Sequence, residues 1–427
     1  MARERRQHVA PNVASLSASL LDMVMDPNLN MPPRCCIFLT PKILRRHNEK
    51  AYAPNAFSIG PFHHTDQSLK ATEKLKVKYL QALIRRSCSN PEQKLDEIVK
   101  GIGEIEREAR ECYAPQDCLP NEYEFAKIMV LDGCFIIELF LRHTYGELRD
   151  LEDPVFNMSC MLQFLHHDLC LLENQIPWLV LERLFAMTSS YGSLPLVALA
   201  LKFFATTFQS EPLPTDKRED WPNENKHILD LLRTLLIRRS TRLDEDTLGL
   251  QPVPSARILE EAGIKFQRVN SSCILDIKLR NDHVLEIPPL LIQETTEVVF
   301  RNLISYEQCL PGCRPVITSY AILFNNLIKT AKDVNILIEK GIIHNWLNLE
   351  DATQFFNKLY LDTYIKEYFY FQLSREINLH CCSPRAKLRT FMVRNYLYTP
   401  MGIISQIAAV VLNICGIIQA VCAIVKK

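Results

Sequence analysis

Residues 90–109 read NPEQKLDEIVKGIGEIEREA. Asn90 supplies a side-chain oxygen for the free amides of a first turn, and Pro91 takes the first helical position, where no N–H is needed. Leu95, Ile98, Val99, Ile102, Ile105 and Ala109 then recur at three- and four-residue steps, with acids and lysines between them. That spacing predicts an amphipathic helix. The same period returns in Glu122–Arg142, in Met161–Leu172, in 225–240, and in Ser319–Lys340, which stops at Gly341. Leu275–Arg280 departs from it, because apolar and polar residues alternate strictly there. Asn281-Asp282 can supply a two-residue turn, Leu285 and Ile287 resume the alternation, and Pro288-Pro289 ends it, which together make a hairpin signal.

The fold class expected from these patterns is mainly α: a large helical domain with a small β-hairpin element and one C-terminal transmembrane helix. The last part comes from residues 401–425, MGIISQIAAVVLNICGIIQAVCAIV, which no charge interrupts. A membrane-crossing helix needs about 20 mainly apolar residues. Pro400 precedes the run, Lys426 and Lys427 follow it, and Tyr396 and Tyr398 stand where interfacial aromatics are found. The preceding flank carries Arg385, Lys387, Arg389 and Arg394 against two lysines beyond, so the positive-inside tendency puts the main domain in the cytosol. A single-pass protein of the plasma membrane or an endomembrane is therefore expected, with the lipid bilayer as one partner. Gln406 and Asn413 share a face, and Ser405 and Ala409 form a small-xxx-small pair, which could contact a second copy; the alternative is isolated amides near the interface or bonded to their own backbone.

The 427 residues contain 49 Lys plus Arg and 49 Asp plus Glu. Balanced charge gives no reason to expect a nucleic-acid partner. The 15 cysteines are odd in number and scattered, with no signal peptide before them, which favours free, reduced thiols. Residues 1–34 are assigned to a partly disordered N-terminal segment, in which Ala14, Leu16, Leu20, Leu21 and Val24 could line a short helix. Residues 35–398 form the helical domain, with polar, proline-containing loops near 209–224 and 241–256, and 400–425 the membrane helix.

The usual catalytic signatures are missing: no GxSxG, HExxH, P-loop or kinase set occurs. Lys100-Gly101-Ile102-Gly103 starts like a dinucleotide loop but lies within a helical pattern. Gly60-Pro61-Phe62-His63-His64 could bring imidazoles to a metal, yet adjacent side chains diverge and no carboxylate–cysteine set completes a shell. In His166-His167-Asp168 the acid is the expected partner of an imidazole. Cys309-Leu310-Pro311-Gly312-Cys313 lacks the second pair of a zinc site. Glu173-Asn174-Gln175-Ile176-Pro177-Trp178 suits either binding or polar bonding in the core. The candidate interaction or structural motif is thus Gly60, Pro61, His63, His64, Glu173, Asn174, Gln175 and Pro177. No catalytic, cofactor-binding or metal-binding residue, no cofactor and no small-molecule ligand is identified. An enzyme using His63, His64 or Cys134 and an oligomerising scaffold remain as alternatives.

Many of these stretches together resemble the plant domain-of-unknown-function 247 family. They include Cys36-Ile37-Phe38, Pro41, Leu44-Arg45, Ser58-Ile59-Gly60-Pro61-Phe62-His63-His64, Cys112-Tyr113 and Asp132-Gly133-Cys134-Phe135. Leu171-Leu172-Glu173-Asn174-Gln175-Ile176-Pro177, Ala262-Gly263-Ile264-Lys265-Phe266, Phe300-Arg301-Asn302-Leu303 and Gly341-Ile342-Ile343 continue the series. The resemblance runs from about residue 35 to the C-terminus; Met401 stands where the family tends to place tryptophan. It implies a plant protein with a helical domain and a closing membrane span, and no established enzyme activity. Some members look linked to self-incompatibility loci in grasses, which suggests recognition or signalling through protein partners.

Overall fold

The computed structural model describes residues 13–25, 31–188, 191–205, 224–238, 249–271, 273–292, 294–345, 347–397 and 400–425. Most of the two expected loops, near 209–224 and 241–256, lies outside the described residues. In the N-terminal segment a helix forms over Val13–Val24, with none of its residues buried.

Among the described residues helices dominate, and three small sheets stitch distant segments together. β1 (Ile37–Phe38) pairs in parallel with β2 (Tyr113–Ala114). β3 (Lys265–Arg268) lies parallel to β5 (Val284–Ile287), whose other edge takes β4 (Lys278–Leu279) in antiparallel register. β6 (Leu290–Ile292) pairs in parallel with β7 (Ile343–Asn345).

The Pro91–Gly103 helix begins as its sequence predicts, with the Asn90 side chain accepting from the Gln93 N–H at 3.3 Å. It ends earlier than the apolar period does, and Glu106–Arg110 forms a separate short helix. The Glu122–Thr144 helix is buried almost continuously from Ile128 to Arg142, so it is the axis of the N-terminal half. The helices Glu73–Ser87, Pro91–Gly103, Trp178–Thr188 and Leu196–Phe203 pack around it. In the C-terminal half every residue of Val316–Leu327 is buried. One apolar core runs through both halves, from Cys35 to Ile377.

Two local expectations change. The run Ser319–Lys340 is two helices, Val316–Leu327 and Ala331–Glu339. Thr330 and Asp333 form a capping box that starts the second, and continuous apolar spacing concealed the break. The hairpin forms with a three-residue loop, not two: the His283 N–H donates to the Arg280 carbonyl at 3.0 Å, and His283 takes φ +62°. Leu279 then faces Leu285, as the alternation requires.

The transmembrane helix is also corrected. A helix does form over Pro400–Val425, but among the described residues no helix is long and apolar enough to cross a membrane. Ser405, Gln406, Asn413 and Gln419 set polar side chains within its sequence, where a span requires about 20 mainly apolar residues. Lack of charge does not by itself supply apolar length. Of the proposed contact face, the side chains of Ser405 and Gln406 lie outside the described residues. Ala409 and Asn413 are exposed, and the Asn413 amide donates to the Ala409 carbonyl of its own helix at 2.9 Å.

Candidate functional site

The two halves of the candidate motif meet. After β1 the chain runs through 53–66 without regular structure and must find partners for its buried amides. Side chains around the 168–175 turn supply them. Asp168, fully buried, accepts from the Asn55 N–H at 2.7 Å, Ala56 at 2.9 Å and Phe57 at 2.8 Å. Asn174 accepts from the Ile59 N–H at 2.7 Å and donates to the carbonyls of Phe57 and Asp168, both at 2.9 Å. Gln175 donates to the carbonyls of Leu169 and Leu171 and accepts from the Leu229 N–H at 3.2 Å. Glu173 accepts from the Thr40 N–H at 2.7 Å and Arg45 at 3.0 Å.

Gly60 holds φ +76°, and any Cβ there would collide with the Gln175 carbonyl oxygen. Its N–H donates to Asp132 at 2.8 Å, and Asp132 pairs with Lys76 at 2.7 Å. Burial pushes the Asp132 carboxyl up. Burial also works against the Lys76 ammonium, but Asp132 and Glu73 outweigh it and raise its pKa. The adjacent histidines diverge: His64 Nδ1 meets the Pro61 carbonyl at 2.6 Å, while His63 Nε2 lies 3.4 Å from Glu173. Among the described residues Thr40 Oγ1, Arg45 Nε and His63 Nε2 have no hydrogen-bond partner, so spare donor capacity gathers beside Glu173. Pro177 precedes the Trp178–Thr188 helix, whose first amide donates to the Lys226 carbonyl at 2.7 Å.

This constellation can hold a loop in place; its carboxylates and amides are already engaged with backbone. Lys76, Asp132 and the backbone-capping role of Asp168 escaped sequence reasoning, as did Asn302, whose side chain accepts from the Leu172 N–H at 2.9 Å and donates to the Ala51 carbonyl at 2.8 Å. A charge within the apolar run Met129–Phe135 was a readable sign that Asp132 needs a buried partner, but nothing local identifies Lys76.

The thiol candidates are set against nucleophilic chemistry. Burial pushes Cys134 up to about 12. Burial, with Glu173 adding, does the same for Cys309, also to about 12. Cys313 goes up to about 11 by burial. Among the described residues no group of three or more His, Cys, Asp or Glu could hold a metal ion.

A cleft of about 710 Å³ opens beside the anchored loop. Residues 47–55 and the Ser159–Asp168 helix form one wall, and the Glu294–Cys309 and Leu349–Leu359 helices the other. Phe164, Val298, Leu347 and Phe355 give it apolar surface. Its acids are engaged: Glu297 binds Arg301 at 2.6 Å and Asn48 at 3.0 Å, and Asp351 accepts from Asn348 at 2.6 Å. Lys50 is exposed and, among the described residues, has no ion-pair partner; Lys358 reaches only Gln354, at 3.0 Å.

A family model described as a plant protein of unknown function, DUF247, matches residues 37–415. The chain belongs to the DUF247 family. The match spans the loop-anchoring network, the cleft and both halves of the core. UPF0481 protein At3g47200 of Arabidopsis thaliana is 28% identical over 353 residues, covering 77% of this chain and 73% of that protein. Putative UPF0481 protein At3g02645 of the same plant is 22% identical over 474 residues, covering 88% of each. No solved structure matches.

Proposed function

We propose that this DUF247 chain is a protein-recognition module that seats an acidic, partly apolar peptide segment in the interhelical cleft. The free charge facing the cleft carries this reading. Its acids are tied to Arg301, Asn48 and Asn348, while Lys50 and Lys358 keep cationic ends available. Val298 and Phe355 are nearly buried and offer apolar contact beneath. A carboxylate flanked by aromatic or aliphatic side chains complements both features, since potentials that match across an interface favour encounter and register. The cleft volume falls within the about 300–1,000 Å³ typical of ligand sites. The Asp168 anchor gives the wall at Asn55 a fixed shape, which lowers the ordering cost of binding.

The test uses a fluorescein-labelled peptide alternating Glu with Phe and Leu, titrated with the intact chain and followed by polarisation. Binding should weaken at least tenfold in the Lys50→Glu, Lys358→Glu double variant, and should fall with added salt. The Lys-for-Glu version of the peptide should bind worst to the wild type. Equal affinity for the two peptides, or unchanged affinity in the double variant, refutes the reading.

A further inference from the structure

Away from the cleft, β1 and β2 bring two thiols together. The pair register sets Ile37 opposite Tyr113 and Phe38 opposite Ala114. One position back, the Cys36 N–H donates to the Cys112 carbonyl at 2.9 Å, and the Cys112 thiol donates to the Glu108 carbonyl at 3.4 Å. We propose that Cys36 and Cys112 form a modification site at which a hydroperoxide makes an intramolecular disulfide.

Neighbouring strands lie about 4.8 Å apart, inside the about 4.4–6.8 Å between Cα atoms that a disulfide spans. The bond therefore needs no large backbone movement. The thiols are not equivalent. Cys36 and, after it, Arg34 act to lower the Cys112 pKa against burial. Arg34 binds Glu108 at 2.6 Å, four residues before Cys112, which sets the cation beside that thiol and assigns it as the nucleophile, with Cys36 resolving. Both thiols are buried, with the half-exposed Arg34 side chain beside them, so the oxidant proposed is a small one.

The chemistry balances. The Cys112 thiolate attacks one peroxide oxygen; an S–O bond forms, the O–O bond breaks, and hydroxide leaves. Cys36 then attacks the sulfenic sulfur; the S–S bond forms, the S–O bond breaks, and the departing hydroxide takes the Cys36 proton. Two thiols lose two electrons, and hydrogen peroxide is reduced to two waters. The product joins β1 covalently to β2.

The test treats the reduced intact chain with stoichiometric hydrogen peroxide and maps peptides without reductant. A Cys36–Cys112 linked peptide is expected, with two free thiols lost. Cys36→Ser should leave a sulfenic acid at Cys112 that dimedone traps, and Cys112→Ser should give no link. Oxidation of the exposed Cys118 and Cys160 while Cys36 and Cys112 stay reduced overturns the proposal. A link from Cys112 to the neighbouring Cys35 overturns it as well. The wild-type peptide map decides the question even if a variant misfolds.

Discussion

Replacing Asp168 with Ala should destabilise the protein by about 5 kcal/mol, at the upper end for a single substitution. Asp168 is fully buried, and its carboxylate receives three backbone N–H groups within 2.7–2.9 Å. A hydrogen bond to a charged group contributes roughly 1.5–3 kcal/mol, so the simple sum would run from about 4.5 to 9. The three donors do not share the same fate, however. Asn55 is exposed and Ala56 half-buried, so water can take over their amides; Phe57 is buried and its N–H would stay unpaired. The lower part of the range follows. Asp168→Asn keeps an acceptor but loses the charge, and about half the cost is expected. Urea unfolding followed by circular dichroism measures this as a shift in midpoint at constant slope. Hydrogen exchange at Phe57 and Ile59 would register local release of the loop before global unfolding. A change below about 1 kcal/mol for the Ala variant, with Phe57 still protected, would refute the anchoring argument.

Two further outcomes follow from buried groups and close approaches. Burial, with His143 adding, lowers His166 to about 4, and burial lowers His227 to about 4, both from 6.5. The folded chain keeps these rings neutral where the unfolded chain protonates them, so stability is full above pH 6.5 and falls as pH drops toward 4, by up to about 3 kcal/mol per ring. His166→Phe, which keeps the stacking on Phe203, should flatten part of that fall in urea titrations run across the interval; an unchanged slope removes the assignment. Gly60→Ala should cost about 3 kcal/mol or more, since it combines a positive φ with a backbone collision. Gly103→Ala meets nothing within 4 Å and should be neutral or slightly stabilising, by about 0.5–1 kcal/mol at most. Scanning calorimetry of the pair checks both, and equal melting shifts would contradict the geometry.

What the sequence determined by itself is local. The Asn90-Pro91 start, the hairpin between Lys278 and Ile287, and the amphipathic helices follow from capping atoms, turn preferences and apolar period, each set by residues a few positions apart. The ordered motifs also carried the DUF247 membership that the family model shows. Tertiary structure decided which polar groups meet. Gly60 finds Asp132 across 72 positions, and Thr40 finds Glu173 across 133. Periodicity records which face of a helix is apolar, but not which distant carboxylate will satisfy a buried amide. The same limit explains the two misread helices. Apolar spacing ran through the Thr330 break, and the charge-free, mainly apolar run 401–425 gives, among the described residues, no helix long and apolar enough to cross a membrane.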